Sequence, residues 1–194
     1  MKTNNTNTAH DTCRWLAQML ADGGARWAVC CPGSRNTPLL MAFAREERLR
    51  KVVVVDERSA GYIAIGIAQQ TQQPVAVVCT SGTALLNLAP AAAEAYYAHV
   101  PLIVVSADRP SQWIDQNDSQ TIRQPLALEQ ATKWHTSLPS LPSSNDERWH
   151  TQRMLNEAWQ MATKLPLGTI HINIHISEPI AQTASIEQND WRSI

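Results

Sequence analysis

A chain of 194 residues with 16 Lys and Arg against 17 Asp and Glu carries a formal charge of −1, which removes any general electrostatic argument for nucleic acid or an anionic membrane surface as partner. The length suffices for one sizeable core, and 44% apolar with 17% charged residues marks an ordinary globular domain rather than a disordered or disulfide-stapled chain. No apolar stretch approaches the ~20 residues that span a bilayer, and the polar start Met1-Lys2-Thr3-Asn4-Asn5-Thr6-Asn7-Thr8 lacks a signal peptide's apolar segment, so a cytoplasmic location is expected.

Residues 1–8 are expected to be disordered. Trp15, Leu16, Met19 and Leu20 then recur at helical spacing until Gly23-Gly24 stops the pattern. Trp27-Ala28-Val29-Cys30-Cys31 reads as a strand, and Pro32-Gly33 leads into a helix predicted from about Thr37 to Arg48. Cys13, Cys30, Cys31 and Cys79 show no C-x-x-C spacing and read as reduced core thiols. Val52-Val53-Val54-Val55 is the β-branched run expected of a strand covered on both faces, and it feeds a helix with Tyr62, Ile63, Ile67 and Ala68. Residues 75–79 form the next predicted strand, ahead of an Ala-rich helix that begins after Ser81-Gly82-Thr83; residues 102–106 form another. Strands alternating with helices at this spacing imply a doubly wound α/β fold, a mostly parallel sheet of about six strands with helices on both faces.

Residues 107–125 read as a long functional loop. A short strand at 134–138, a turn at 141–146 and a helix at 147–164 with Met154, Leu155, Ala158 and Met161 inward follow. In the closing strand, 170–176, the isoleucines take one face and His171, Asn173 and His175 the other. At ~3.3 Å per residue the two histidines stand roughly 13 Å apart, too far to share a metal, and they read as solvated or packed strand residues. Past Pro179 the composition turns polar, giving one domain over 9–179 and a linker or tail over 180–194.

Chemistry concentrates at the strand ends, where open α/β sheets bind their ligands. Three polar turns fall there: Pro32-Gly33-Ser34-Arg35-Asn36-Thr37-Pro38, Thr80-Ser81-Gly82-Thr83 and Ala107-Asp108-Arg109-Pro110. Asp56-Glu57-Arg58 sets a carboxylate, Glu57, at a fourth tip; taken alone, the segment serves equally as a helix start capped by Asp56 or Ser59. Ser81-Gly82-Thr83 offers backbone N–H groups to an anion or a heterocycle edge, and is also a normal helix entry. Arg35, Arg109 and Arg123 are guanidinium groups that the loops could bring to one crevice, where their forked donors suit carboxylates of a polyanionic small molecule. Neither G-x-G-x-x-G nor G-x-x-x-x-G-K-[ST] occurs, which counts against dinucleotide and P-loop binding.

Five segments in order, the three turns above with Asp56-Glu57-Arg58 and Gln120-Thr121-Ile122-Arg123-Gln124-Pro125, resemble the amino-terminal, pyrimidine-binding domain of the MenD family. These are thiamine-diphosphate-dependent SEPHCHC synthases of menaquinone biosynthesis. The resemblance runs from about Trp15 to Pro179; Asn36 stands where Ser is more often expected. It implies that Glu57 hydrogen-bonds the aminopyrimidine of thiamine diphosphate and promotes the tautomer that takes the thiazolium proton, a role suited to a buried acid in a mostly apolar cleft walled by residues 52–55. It implies that Pro32, Thr80, Ser81 and Gly82 approach the pyrimidine, and that Ser34, Arg35, Arg109, Gln120 and Arg123 contact 2-oxoglutarate and isochorismate, both dicarboxylates.

The family's Gly-Asp-Gly signature with a downstream Asn, which holds Mg2+ and the diphosphate, is absent. No metal ligand is therefore assigned, the middle and diphosphate-binding domains are expected outside this chain, and the isolated polypeptide is expected to be inactive. In full-length form a homo-oligomer, dimer or tetramer, is implied. Two other readings stay open on the residues: the pyrimidine domain of a different thiamine-diphosphate carboligase or decarboxylase, and a freestanding anion-binding module.

Overall fold

The computed structural model describes residues 6–185 and 190–193. In chain order the elements are β1 (Thr6–Thr8), α1 (Asp11–Asp22), β2 (Trp27–Cys30), α2 (Thr37–Arg45), β3 (Arg50–Val53), α3 (Glu57–Thr71) and β4 (Val75–Cys79). There follow α4 (Thr83–Asn87), α5 (Ala89–Tyr97), β5 (Leu102–Asp108), β6 (Trp134–Pro139), α6 (Asn145–Thr163), β7 (Ile170–His175) and β8 (Thr183–Ser185). The main sheet has six strands in the order β3-β2-β4-β5-β7-β6, and every pairing is parallel. This is the doubly wound architecture that alternating strand and helix patterns predict.

Parallel sheets are stable when both faces are covered. Here α1, α2 and α6 bury one face, around Trp15, Leu16, Phe43, Ile103, Ile172 and Leu155. The other face is buried by α3, α4 and α5 around Val29, Val77, Leu85, Leu88 and Val104. The central strands β4 and β5 are buried at every residue. All four cysteines are free and buried, and burial pushes the Cys30 thiol up to about 11 and Cys31 to about 12, so none is a nucleophile at neutral pH.

The valine run departs from expectation. Its strand is β3, shifted to Arg50–Val53 and placed at the sheet edge with β2 as its one neighbour. Val53 is 71% and Val55 78% exposed, because an edge strand lacks the second neighbour and covering helix that bury a central one. On α3, Tyr62 and Ile63 also face outward; Ala60, Ala64, Ile65 and Ala68 are buried, and Gly61 packs on Ala91 of α5. The Ala-rich helix is two helices, α4 and α5, joined at Leu88 with Pro90 in the first turn of the second, where a missing N–H costs nothing.

Both ends differ as well. Thr6–Thr8, expected to be disordered, pairs antiparallel with Thr183–Ser185, expected to lie in a linker. Trp191 is buried and donates its indole N–H to Asp22 Oδ2 (3.0 Å), while Asp190 Oδ1 accepts from Trp15 Nε1 (2.8 Å). Unpaired backbone at both segments is satisfied by joining them. Residues 1–5, also expected to be disordered, lie outside the described residues.

The crossover from β5 to β6 carries two single 3-10 turns, Ser111–Trp113 and Glu129–Ala131, instead of a helix. Under that irregular segment β5 and β7 present Ser106, Asp108, His171, Asn173 and His175. The site is built on this polar patch.

Candidate functional site

Four turns leave the carboxyl ends of β2, β3, β4 and β5, and close glycine contacts tie the turn after β4 to the turn after β2 and to the loop that follows β5. A Cβ on Gly33 would lie 2.5 Å from Thr80 Cβ, so the turn after β2 packs directly on the turn after β4. Gly82 (φ +76°) likewise leaves no room: a Cβ would fall 2.7 Å from the Gln120 carbonyl oxygen, and Ser81 Oγ donates to that oxygen (3.0 Å). Asn36, the departure from the expected Ser, is buried and donates from Nδ2 to Cys31 O (2.8 Å), stapling the Pro32–Thr37 turn to its own strand.

Beneath these turns lies a buried hydrogen-bond network. The Gly82 N–H donates to Gln124 Oε1 (2.6 Å), and Gln124 Nε2 donates to Ala107 O (3.0 Å) and Asn173 Oδ1 (2.9 Å). Asn173 Nδ2 donates to Asp108 Oδ2 (2.8 Å), whose Oδ1 accepts from the Arg109 N–H (2.8 Å). Ser106 Oγ donates to Asn173 Oδ1 (2.7 Å) and stands 2.8 Å from His171 Nε2. Its single hydrogen being spent on Asn173, the His171 ring must be the donor and carries its proton on Nε2. Burial holds His171 neutral, its pKa pushed down to about 3, and pushes the Asp108 carboxyl up against the pull of its Asn173 hydrogen bond. His175 Nδ1 donates to Arg109 O (2.6 Å). Both backbone polar groups of Arg109 are thereby fixed.

Arg109 and Arg35 reach one cleft of about 550 Å3, lined also by Gln112, Trp113, Asp118 and Glu178. Arg35 is 7% exposed; Nη1 donates to Ile176 O (3.1 Å) and pairs with Glu178 Oε1 (3.1 Å). Arg109 pairs through Nε with Asp118 Oδ2 (2.9 Å) and donates from Nη2 to Ser119 O (2.9 Å). Two guanidinium groups from turns far apart in sequence thus meet as expected.

The third does not. Arg123 lies on the surface, its side chain 81% exposed, and pairs with Asp115 Oδ2 (2.8 Å). Pro32, Ser34 and Gln120 are exposed on the turns, whereas Thr80, Ser81 and Gly82 are buried beneath them. Glu57 opens α3, with Asp56 as its cap accepting from the Ser59 N–H (2.7 Å). Asp56 is thus the cap, and Glu57 stands beside it in the first turn of α3. Glu57 is half-buried, not the enclosed acid that the expected valine wall would make it, because Val53 and Val55 turn outward at the sheet edge. Its charge still reaches the Cys31 and Cys79 thiols at the neighbouring tips and helps hold them protonated. Reading by sequence missed Gln124, Asn173, Asp118, Glu178 and Trp113. Only Gln124 had a signal, its place in the Gln120–Pro125 motif.

The fold and the cleft define a class: a doubly wound α/β domain with a cleft lined by two arginines and two acids at the carboxyl ends of its strands. Residues 10–128 match the family model described as thiamine pyrophosphate enzyme, N-terminal TPP binding domain, and the chain belongs to that family. It is 48% identical over 164 residues, 84% of its length, to the 2-succinyl-5-enolpyruvyl-6-hydroxy-3-cyclohexene-1-carboxylate (SEPHCHC) synthase of Cytophaga hutchinsonii. Synthases of the same name from Porphyromonas gingivalis (46% over 171 residues, 88% of the chain) and Desulfotalea psychrophila (47% over 165 residues, 85%) are similar to it. The chain spans 29%, 30% and 31% of these relatives' lengths.

Proposed function

We propose that this chain is the pyrimidine-binding domain of a SEPHCHC synthase, the cytoplasmic menaquinone-pathway enzyme that decarboxylates 2-oxoglutarate and joins the remaining carbon skeleton to isochorismate. The observation that carries this reading is the cleft in which Arg35 and Arg109 converge, since both substrates bear two carboxylates and forked guanidinium donors bind them in matched pairs.

The residues present fit one end of thiamine diphosphate. Glu57 offers a carboxylate acceptor at a strand tip, with the Thr80-Ser81-Gly82 turn held close to the Pro32–Thr37 turn by the Gly33 contact. Among the described residues no three His, Cys, Asp or Glu side chains gather as metal ligands, and Mg2+ with the diphosphate is assigned to the part of such a synthase not represented here. When bound, the cofactor supplies a nucleophilic carbon able to break and remake bonds beside a carbonyl. Glu57 exchanges a proton with a ring nitrogen, a task that needs its carboxylate shielded from bulk water. Exposed Val53, Val55, Tyr62 and Ile63, flanking Glu57 in the chain, provide the apolar surface that the remaining domains of a full-length homo-oligomer would cover to give that shielding. Ser34 and Gln120, exposed on the turns, join Arg35 and Arg109 as proposed substrate contacts. Arg123, committed to Asp115, is left out.

The test is a chimera in which this chain replaces the matching region of the Cytophaga hutchinsonii synthase. Synthase turnover that Glu57→Gln lowers by about 100-fold or more, the scale of lost proton-transfer catalysis, supports the reading. A soluble, folded chimera with no turnover counts against it. The isolated chain with thiamine diphosphate and Mg2+ is expected to release no carbon dioxide from 2-oxoglutarate.

A further inference from the structure

Both arginines of the cleft are already engaged by carboxylates of the chain itself, Arg35 by Glu178 and Arg109 by Asp118. We propose that Asp118 and Glu178 are internal stand-ins for the two carboxylates of the ligand, displaced when it binds. This rests on the proposal that Arg35 and Arg109 receive substrate carboxylates.

The two sides of each pair are held very differently. The arginine side chains are 8% and 14% exposed, whereas Glu178 is 67% and Asp118 34% exposed. Each guanidinium is anchored to a backbone carbonyl, Ile176 O or Ser119 O, and the Arg109 backbone is pinned by Asp108 and His175. The acids hold little else. Glu178 Oε2 accepts the Ile180 N–H (3.2 Å), and Asp118 Oδ1 accepts the N–H of its own neighbour Ser119 (2.9 Å). A side-chain rotation frees either acid into water without moving the fold; neither arginine can leave so easily. Arg35 Nε is buried without a partner, so the Glu178 contact does not use the full fork and leaves donor capacity for a bidentate carboxylate.

With two cations facing two acids, these four side chains sum to zero charge. An incoming carboxylate must therefore compete with an acid for its arginine. A monocarboxylate wins one exchange and stops. For a dicarboxylate the second exchange is intramolecular, at a high effective concentration set by the short link between its carboxylates. The acids thus cost a dianion two exchanges and a monoanion one, and the dianion keeps its advantage through the link between its carboxylates.

The experiment titrates the purified 194-residue chain with 2-oxoglutarate, succinate and pyruvate by isothermal calorimetry at low ionic strength. Asp118→Asn and Glu178→Gln are each expected to tighten 2-oxoglutarate and succinate by about 2- to 5-fold, the weight of a part-exposed ion pair. The double variant should gain roughly the product of the two, while pyruvate gains no more than one factor. Asp118→Ala and Glu178→Ala should move affinity the same way, with melting curves confirming that each variant is folded. Unchanged or weaker dianion binding in these variants overturns the proposal, the acids then being props for the arginines. If binding is present and lost in Arg35→Ala while the acid variants do nothing, the stand-in role alone fails. If neither the chain nor its double variant binds any of the three probes, the stand-in role and the proposed cleft function fail together.

Discussion

Replacing Gln124 with Leu removes the carboxamide that joins the β4 turn to β5 and β7. Leu has similar bulk but no polar atoms, so the Gly82 N–H and Ala107 C=O lose their Gln124 bonds in a buried setting; Asn173 Oδ1 keeps Ser106. An orphaned buried donor or acceptor costs about 1–3 kcal/mol. Two of them, offset in part by the apolar gain of Leu, give a destabilisation of roughly 2–5 kcal/mol. For a chain of this size about 2–4 °C of Tm accompanies each kcal/mol, so the expected drop is about 5–15 °C. Urea titration and calorimetry measure it, and amide hydrogen exchange at Gly82 should accelerate ahead of the central strands. Gln124→Glu supplies a control of opposite polarity. It keeps an acceptor for Gly82 but, when ionised, faces Ala107 O and Asn173 Oδ1 with no proton to give. Its folded pKa must rise, so its stability is fullest below about pH 4 and falls as pH climbs through the folded value. A Gln124→Leu cost below about 1 kcal/mol, or a Gln124→Glu variant with the parent's pH profile, would refute the network as the element that fixes these turns.

His171 is pushed down to about 3 from an ordinary 6.5. Its contribution is complete above pH 6.5 and drains as pH falls toward the folded value, at about 1.4 kcal/mol per pH unit. His10, lowered by burial in the same direction, adds to that slope. Urea melts at pH 7, 6 and 5 should show His171→Gln flatter than the parent by about one proton; parallel slopes would contradict the buried neutral ring. Gly82→Ala forces a side chain into a glycine-only conformation and onto Gln120 O, and should cost about 1–3 kcal/mol in the same melts. In the chimera, Arg35→Lys and Arg109→Lys should raise KM for 2-oxoglutarate by about tenfold, the weight of a lost forked carboxylate pair. Arg123→Ala should change it less than about 2-fold, as expected of a surface ion pair, and equal effects at all three would restore Arg123 to the site.

What the sequence made legible follows from what local pattern encodes. Continuous apolar runs such as 75–79 announced buried parallel strands, and Pro32-Gly33 and Ser81-Gly82 announced the turns, because backbone conformation at those points depends on residues a few positions apart. The valine run misled because β-branched composition does not record neighbours: the same four residues suit a central strand or an edge one, and strand order β3-β2-β4-β5-β7-β6 is set by long-range packing. Losing the second neighbour turned the expected wall around Glu57 into exposed surface, which is the strongest reason to look for its covering outside this chain. Arg123 failed for a related reason, since Asp115 eight residues earlier reaches it first.

The polar strand β7 shows how chemistry and architecture meet. Alternation correctly put His171, Asn173 and His175 on one face, but which cover that face received could not be read from period two alone. A helix crossing from β5 to β6 would have brought an apolar stripe and demanded an apolar sheet beneath it. The loop brings Gln124 and backbone amides instead, and buried amides demand partners. The strand histidines, Asn173 and Asp108 are therefore the counterpart of an irregular crossover. The same irregularity carries Gln112, Trp113 and Asp118 to the cleft, where Asp118 and Ser119 O engage the Arg109 guanidinium. A helix in that place would give a more regular fold without the cleft.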